Sequence, residues 1–471
     1  MPETPKSKRK KLKLEDVSVA DPASVRRAVG AAAVGNITEW YDFGVYGYLA
    51  TTITKVFFSG LSPAMGTIAT FGVFAVSFLI RPFGSLFFGP LGDRIGRKRV
   101  LSITVILMAA GTFVIGIVPS YAQIGVAAPV LVLLARLLQG VSTGGEYGNA
   151  MTFIAEYAPD KRRGFLGSWL EFGTLTGYAF GATVATVLTA VLTPDQLVSW
   201  GWRIPFLIAL PLGAVGLYLR LRLEESPAFA HMVARQQEEK PAPKSEFRSV
   251  FVDHWRVMLV CAGLVLAWNV TNYMLTSYLP TYLTETLPEH GHSGTGETAS
   301  EVLQIVTLVV LMVVITFLGR LSDRIGRRKV VLAGCFALVV LSFPSVLLLR
   351  AGGDARTLIG LLIMGLTLIC FSAVLPSTLP AMFPTHIRAG GLSIAFNISV
   401  SLFGGTTSTV MSALVAGTGD LNWPAYYLMA AGVIGAISIL LTRETANKPL
   451  SGSAPIVESV EEAKELVAAN R

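Results

Sequence analysis

Glu39 and Asp42 lie three residues apart in GNITEWYDFGVYGYLA, within a long apolar run. On a helix that spacing places both carboxylates on one face. Two such groups can share a proton, as a proton-carrying site requires. Arg81 in SFLIRPFG and Arg136 in ARLLQG are natural counter-ions, and Pro82 opens the backbone ladder beside Arg81. Glu146, in STGGEYGNA, is flanked by Gly144, Gly145 and Gly148, which thin the helix and leave its carboxylate space, and Glu171 in the fifth apolar run completes the set. A charge near the middle of a bilayer costs at least about 2.5 kcal/mol. Each of the six is therefore a candidate for proton coupling or solute binding, against the plainer role of a satisfied ion pair holding helices together. The interiors of the second-half runs carry no charge, so proton-linked chemistry is expected in the first half.

The elements that must position these groups are membrane-spanning helices. Of the 471 residues 52% are apolar and 14% charged, against about 25% charged in soluble domains, and mean hydropathy is +0.59. About twelve runs between residues 28 and 442 are long enough to cross roughly 30 Å of hydrocarbon as helices. A polar linker, 224–255, separates the six runs of 28–223 from the six of 256–442, leaving a basic amino-terminal segment, 1–27, and a short tail, 443–471. That basic segment has no apolar core of a cleavable leader, so the amino terminus is expected in the cytoplasm. Threading the spans from there leaves Lys55, Arg203, Arg350 and Arg356 on the outer side and Arg81 and Arg136 within the membrane, with every other Lys and Arg cytoplasmic. The net charge of +8 is then a topology signal rather than a nucleic-acid footprint. Cys261, Cys335 and Cys370 sit in apolar runs and none of the five histidines does. No ligand-spaced cluster and no phosphate-binding loop appears, so neither a metal, a cofactor nor an enzyme activity is expected.

One charged turn occurs twice. GPLGDRIGRKR, Gly89–Arg99, returns as GRLSDRIGRRK, Gly319–Lys329, each between the second and third runs of its half, and PDKRRG at Pro159 is echoed by PTHIRAG at Pro384. Gly89 and Gly319 allow close helix approach, Gly96 and Gly326 a tight reversal. Arg97, Lys98 and Arg99 are expected to hold the first turn in the cytoplasm, and Arg94, Arg324 and Arg327 belong to the same pair of cytoplasmic gate motifs. Asp93 is expected to accept from the first turn of the helix starting near Gly390, and Asp323 from the one near Gly164. Gly173, Gly177 and Gly181 form a close-packing stripe.

On these motifs the chain resembles the major facilitator superfamily over essentially its whole length. The resemblance implies an all-α membrane protein: twelve helices in two six-helix bundles, both termini cytoplasmic, a central cavity open alternately to each side, and the aspartate motifs as latches of the outward-facing state. Longer stretches, among them FLIRPFGSLFFGPLGDRIGRK, RLLQGVSTGGEYGNA and FPTHIRAGG, are similar to the metabolite:proton symporter family, and GWRIPFLIALPLGAVGLYLR, LEESPAF and ETANKPL to its osmoprotectant branch, the proline and glycine betaine transporters. That implies a multi-pass protein of the bacterial inner membrane. It would use the proton gradient without a cofactor and move small zwitterions by symport; a monomer is compatible with the resemblance, which leaves the oligomeric state open. Arg81 or Arg136 would meet the solute carboxylate, and Trp40, Tyr41, Phe43 and Tyr46 its cationic nitrogen. Trp268, Asn269, Asn272, Tyr273 and Tyr278 would close the cavity from the second half. The rivals are symport of an organic acid such as citrate or 2-oxoglutarate, and a non-transporting osmosensor. The tail carries one amphipathic stripe, Ile456, Val460, Ala463 and Val467, too short for a stable coiled coil.

Overall fold

The computed structural model describes residues 12–222 and 253–469, so the basic stretch ahead of Leu12 and nearly all of the 224–255 linker lie outside the described residues. Helix α1 (Pro22–Tyr48) begins earlier than its apolar run. Asp21 caps it, accepting from the N–H groups of Ala23 and Ser24, and Pro22 suits the first helical position. The chain breaks at Leu49 before α2 (Ala50–Phe57), and again at Ile80 between α3 (Pro63–Leu79) and α4 (Arg81–Ile95), immediately ahead of the Arg81-Pro82 pair. The first half continues with α5 (Arg97–Ile117), α6 (Ala127–Tyr157), α7 (Arg163–Val191) and α8 (Arg203–Leu221). The second half holds α9 (Trp255–Tyr273), α10 (Glu297–Ile325), α11 (Arg327–Arg350), α12 (Asp354–Ser372), α13 (Arg388–Ser399), α14 (Thr407–Thr418) and α15 (Trp423–Leu440). Wide π turns carry α9 toward Glu289 and join α13 to α14.

Among the described residues, 11 helical spans are long and apolar enough to cross a membrane. Helix α1 is not one of them. Its 27 residues would reach about 40 Å, but Asn36, Glu39 and Asp42 dilute its apolar content. Its packing explains how it tolerates them. The glycine stripe of α7 lies against it so closely that a Cβ on Gly173 or Gly177 would stand 2.6 Å from the carbonyl oxygen of Ala33 or Ile37. The two halves meet mainly through α4 against α13 and α7 against α10.

At the end of the bundle carrying the repeated turns, β1 (Ser18–Val19) pairs in parallel with β2 (Ile456–Val457). Helix α16 (Val460–Ala469) packs Ala463 and Val467 onto Val17 and Val457. Ile456 therefore does not extend the helical stripe. Ser459 accepts from the Glu462 N–H and starts the helix after it, and the stripe is completed by the amino-terminal strand.

Candidate functional site

The repeated turns reverse at Gly96 and Gly326, with φ of 99° and 103°, a region that strains any residue with a Cβ. Each reversal leaves an aspartate facing the opposite half. The Asp93 carboxylate accepts from the N–H groups of Gly390 at 2.7 Å and Ala389 at 3.3 Å, in the first turn of α13. Asp323 accepts from Gly164 and Phe165, both at 2.8 Å, in the first turn of α7. A Cβ on Gly89 would lie 3.1 Å from the Gly390 Cα, and one on Gly319 2.8 Å from the Gly164 carbonyl oxygen, so both glycines permit the approach.

Arg97 and Arg327 do not hold these turns in water. Both are fully buried, each paired with the aspartate one turn earlier at 3.1 and 3.2 Å, because i,i+4 spacing folds the guanidinium back over that carboxylate. Arg94 and Arg324 point away and are exposed, and take no part in the latches. Glu156, at the end of α6, escaped the sequence reading although it is fully buried. It accepts from Arg97 at 3.2 Å and Arg388 at 2.8 Å. The signal for it is the in-register pair Arg163 and Arg388, each of which needs an anion or carbonyl partner once buried.

The tail supplies others. Arg327 donates to the Thr445 carbonyl at 3.2 Å, Arg163 to that of Lys448 at 3.0 Å, and Arg388 to that of Ser451 at 2.7 Å. Glu444 caps α11, accepting from the N–H groups of Arg327 and Arg328 at 3.1 Å and of Thr445 and Ala446 at 2.8 Å. Burial pushes its carboxyl up, but these donors outweigh burial and hold its pKa below the ordinary value.

The six charges of the first half are all buried, and the shared-proton arrangement expected of Glu39 and Asp42 is not what forms. Asp42 accepts from Arg136 at 2.6 Å and Gln139 at 3.1 Å, with Gln139 also bonded to Thr112 at 2.7 Å. Glu39 turns toward α4 instead. Its nearest cation is Arg81 at 4.0 Å, and neither of its oxygens has a hydrogen-bond partner. Arg81 heads α4 whereas Arg136 and Gln139 lie on α6, so residues three apart on α1 reach different neighbours. Glu146 is paired at 2.5 Å with Arg220, a residue that the threading of the spans puts at a cytoplasmic helix end. Gly35 leaves the room for Arg220, whereas Gly144, Gly145 and Gly148 admit the Arg81 backbone, Phe88 and Ser393 rather than clearing space for Glu146. Glu171 accepts from the hydroxyls of Tyr147 and of Thr174, the latter at 2.9 Å.

Away from the latches, a cavity of about 970 Å³ opens between the halves. Its first-half wall is aromatic, with Phe43, Tyr48, Phe74, Phe78 and Tyr178; its second-half wall is hydroxylated, with Thr276, Thr307, Ser408 and Ser412, and carries Glu285 and Glu301. Glu301 stands at the edge of its apolar run and Glu285 just beyond the end of another, so the second half brings acids to the cavity wall from span ends rather than span interiors. Of the nine residues expected to line the cavity, only Phe43 and Tyr273 do. Tyr41 and Tyr46 donate to the carbonyls of Pro205 and Thr70 within the first bundle. Trp268 donates to Ser372 at 2.8 Å, and Asn269 to the carbonyl of Val265 at 3.0 Å. Asn272 is buried off the cavity, and Tyr278 packs on Tyr282. Trp40 lies beneath the cavity floor against Tyr178, 5.0 Å between centroids. Steps of one to three residues turn a side chain well around a helix, so residue type alone did not set which face met the cavity.

A family model described as the Major Facilitator Superfamily matches residues 42–406. The chain is 47% identical to the proline/betaine transporter of Salmonella typhimurium, covering 98% of this chain and 92% of that protein. It is 46% identical, with the same coverage, to the proline/betaine transporter of Escherichia coli K12 and to the glycine betaine/proline/ectoine/pipecolic acid transporter OusA of Dickeya dadantii. Among solved structures, the proton:xylose symporter XylE bound to 6-bromo-6-deoxy-D-glucose superposes with a TM-score of 0.74 at 18% identity, covering 93% of this chain and 99% of that one.

Proposed function

We propose, from the premise that this chain belongs to the major facilitator superfamily of transporters, that it is a proton-coupled symporter of small zwitterions, proline and glycine betaine among them. The observation that carries the reading is a cavity between the halves, closed at the latches, with an aromatic wall facing a hydroxylated one. Aromatic faces suit an alkylated nitrogen, and hydroxyls suit a carboxylate. Substrate identity comes from the relatives, which are named as transporters of proline and betaine. An organic dianion fits less well, because Glu285 and Glu301 stand on the cavity wall and repel it.

Helix α1 is the twelfth span in this reading, and both termini are cytoplasmic. Exposed Arg94, Arg99, Lys161, Arg162, Arg324 and Lys329 gather at the latch end, as the positive-inside rule asks of a cytoplasmic face. The cavity then opens outward, toward the outside of a bacterial inner membrane. The protein works without a cofactor. Protonation of Glu39 or Asp42 weakens its attraction to Arg81 or Arg136, coupling the proton to the charge contacts that α1 makes with α4 and α6.

Uptake of labelled proline into proteoliposomes under an imposed pH gradient tests this. Glycine betaine should compete, and Glu39→Gln and Asp42→Asn should abolish accumulation driven by the gradient. Uptake of a dicarboxylate with no uptake of proline or betaine overturns the reading.

A further inference from the structure

Arg81 is held differently from the other buried cations. Arg136 contacts Asp42 at 2.6 Å and Arg220 contacts Glu146 at 2.5 Å, but Arg81 approaches Glu39 only to 4.0 Å. What surrounds its guanidinium is aromatic: Cζ lies 4.5 Å from the ring centre of Phe78, 5.0 Å from Phe43 and 5.8 Å from Trp40. Around this box several polar atoms are buried without a hydrogen-bond partner, among them Nε of Arg81, both oxygens of Glu39 and the indole N–H of Trp40. Buried polar atoms left unpaired cost about 1–3 kcal/mol each, so a cluster of them marks a place that another arrangement satisfies. Two of the three rings, Phe43 and Phe78, also line the cavity, as does Tyr273, so a solute in the cavity touches the outer faces of the same rings.

We infer that the box of Trp40, Phe43 and Phe78 is the seat of the solute's alkylated ammonium group, and that Arg81 occupies it in the solute's absence. The inference rests on the zwitterion reading above and assigns its deep subsite. Rings that hold a guanidinium by their faces hold a quaternary ammonium by the same electrostatics, with a smaller desolvation cost for the ligand. Arg81, displaced from the box, turns its guanidinium to the solute carboxylate, which takes the place of Glu39 as its counter-ion. Glu39, left buried without a cation, takes one proton from hydronium supplied by the solution: one O–H bond of hydronium breaks, leaving water, and the Glu39 O–H bond forms. Solute entry and proton uptake are thereby the same exchange, and a cation lacking a carboxylate cannot complete it because it offers Arg81 nothing.

The probe is tetramethylammonium, which has the nitrogen and no carboxylate, with binding measured calorimetrically on the full-length protein in detergent. Arg81→Met vacates the box and should bind tetramethylammonium at least tenfold more tightly than wild type. Arg81→Lys, which leaves a cation beside the rings, should not. Adding Trp40→Leu to Arg81→Met should abolish the gain. Equal binding by wild type and Arg81→Met, or a gain that survives Trp40→Leu, overturns the assignment. If Arg81→Met does not fold, as judged by gel filtration and melting, Trp40→Leu alone decides. It should weaken glycine betaine binding at least tenfold while changing proline binding less, and equal losses, or none, overturn the assignment. Wild-type uptake of betaine measured alongside separates the two readings: uptake with no tetramethylammonium gain removes the box and leaves the transport function standing.

Discussion

The two latches share a design but satisfy their buried arginines differently. In the first, Asp93 caps α13, and Glu156 stands between Arg97 and Arg388 as a carboxylate built into the bundle. In the second, Asp323 caps α7, yet the place three residues before the repeated proline, held by Glu156 ahead of Pro159, is held by Ala381 ahead of Pro384. Arg327 and Arg163 turn instead to carbonyls of the tail, Thr445 and Lys448, and to Asp160. A buried guanidinium has to be matched by an anion or by several carbonyl oxygens. The first latch has one bundle carboxylate for both of its arginines, with the Ser451 carbonyl added to Arg388, whereas the second has no such shared carboxylate and draws on tail carbonyls for both of its arginines.

The largest effect expected from this difference belongs to Glu156→Gln. It leaves Arg97 and Arg388 without their shared anion, a loss of about 3–5 kcal/mol for a broken buried pair. The first latch should open and solute uptake fall at least tenfold. Spin labels at exposed Arg94 and His386, replaced by cysteine, should report a longer distance, while a second pair at exposed Arg162 and Arg324 moves less. A second pair that moves as far would mean the latches are not separate.

Removing residues 443–471 should reverse that pattern at smaller size. Loss of the tail carbonyls and of the Glu444 cap costs the second latch about 1–3 kcal/mol, so the Arg162/Arg324 distance should lengthen, and the Arg94/His386 distance should lengthen less, because Arg388 loses the Ser451 carbonyl but keeps Glu156. Ala381→Glu then sharpens the comparison by supplying the absent carboxylate. In the truncated protein it should restore the Arg162/Arg324 distance, and a glutamate that fails to do so shows that the tail is more than a substitute anion.

The smallest effect is a pH dependence of tail attachment. The Glu444 pKa is lowered by its backbone donors. Its contribution is therefore fully present above the ordinary carboxylate value and is lost as pH falls through the lowered one. Between neutral pH and strongly acid pH the Arg162/Arg324 distance should lengthen in wild type. Glu444→Gln should show the longer distance already at neutral pH, with a flatter response.

Much of this was readable from the repeat alone. Gly89, Asp93 and Gly96, with their copies Gly319, Asp323 and Gly326, sit where local geometry dictates what each must do. A reversal needs positive φ, a close crossing needs no Cβ, and an aspartate at the membrane edge needs the N–H groups of a helix start. The glycine stripe of α7 was readable for the same reason. Cavity lining was not. Trp40, Tyr41, Phe43 and Tyr46 are near neighbours of similar type on α1, yet only Phe43 faces the cavity. A helix surrounded by other helices is apolar on most sides, so periodicity does not set its rotation.

The sequence by itself determined the hydrophobic spans, the duplication of the half, the hinge glycines and the acids that cross from one half to the other, because each follows from a handful of consecutive residues. Only the tertiary structure decided which buried charges pair. Asp42 found Arg136, Glu146 found Arg220, Glu156 found two arginines, and Glu39 was left 4.0 Å from Arg81. Those partners come from helices far apart in the chain. A charge pair is made or missed within about an ångström, a distance set by how the helices pack rather than by their spacing in sequence.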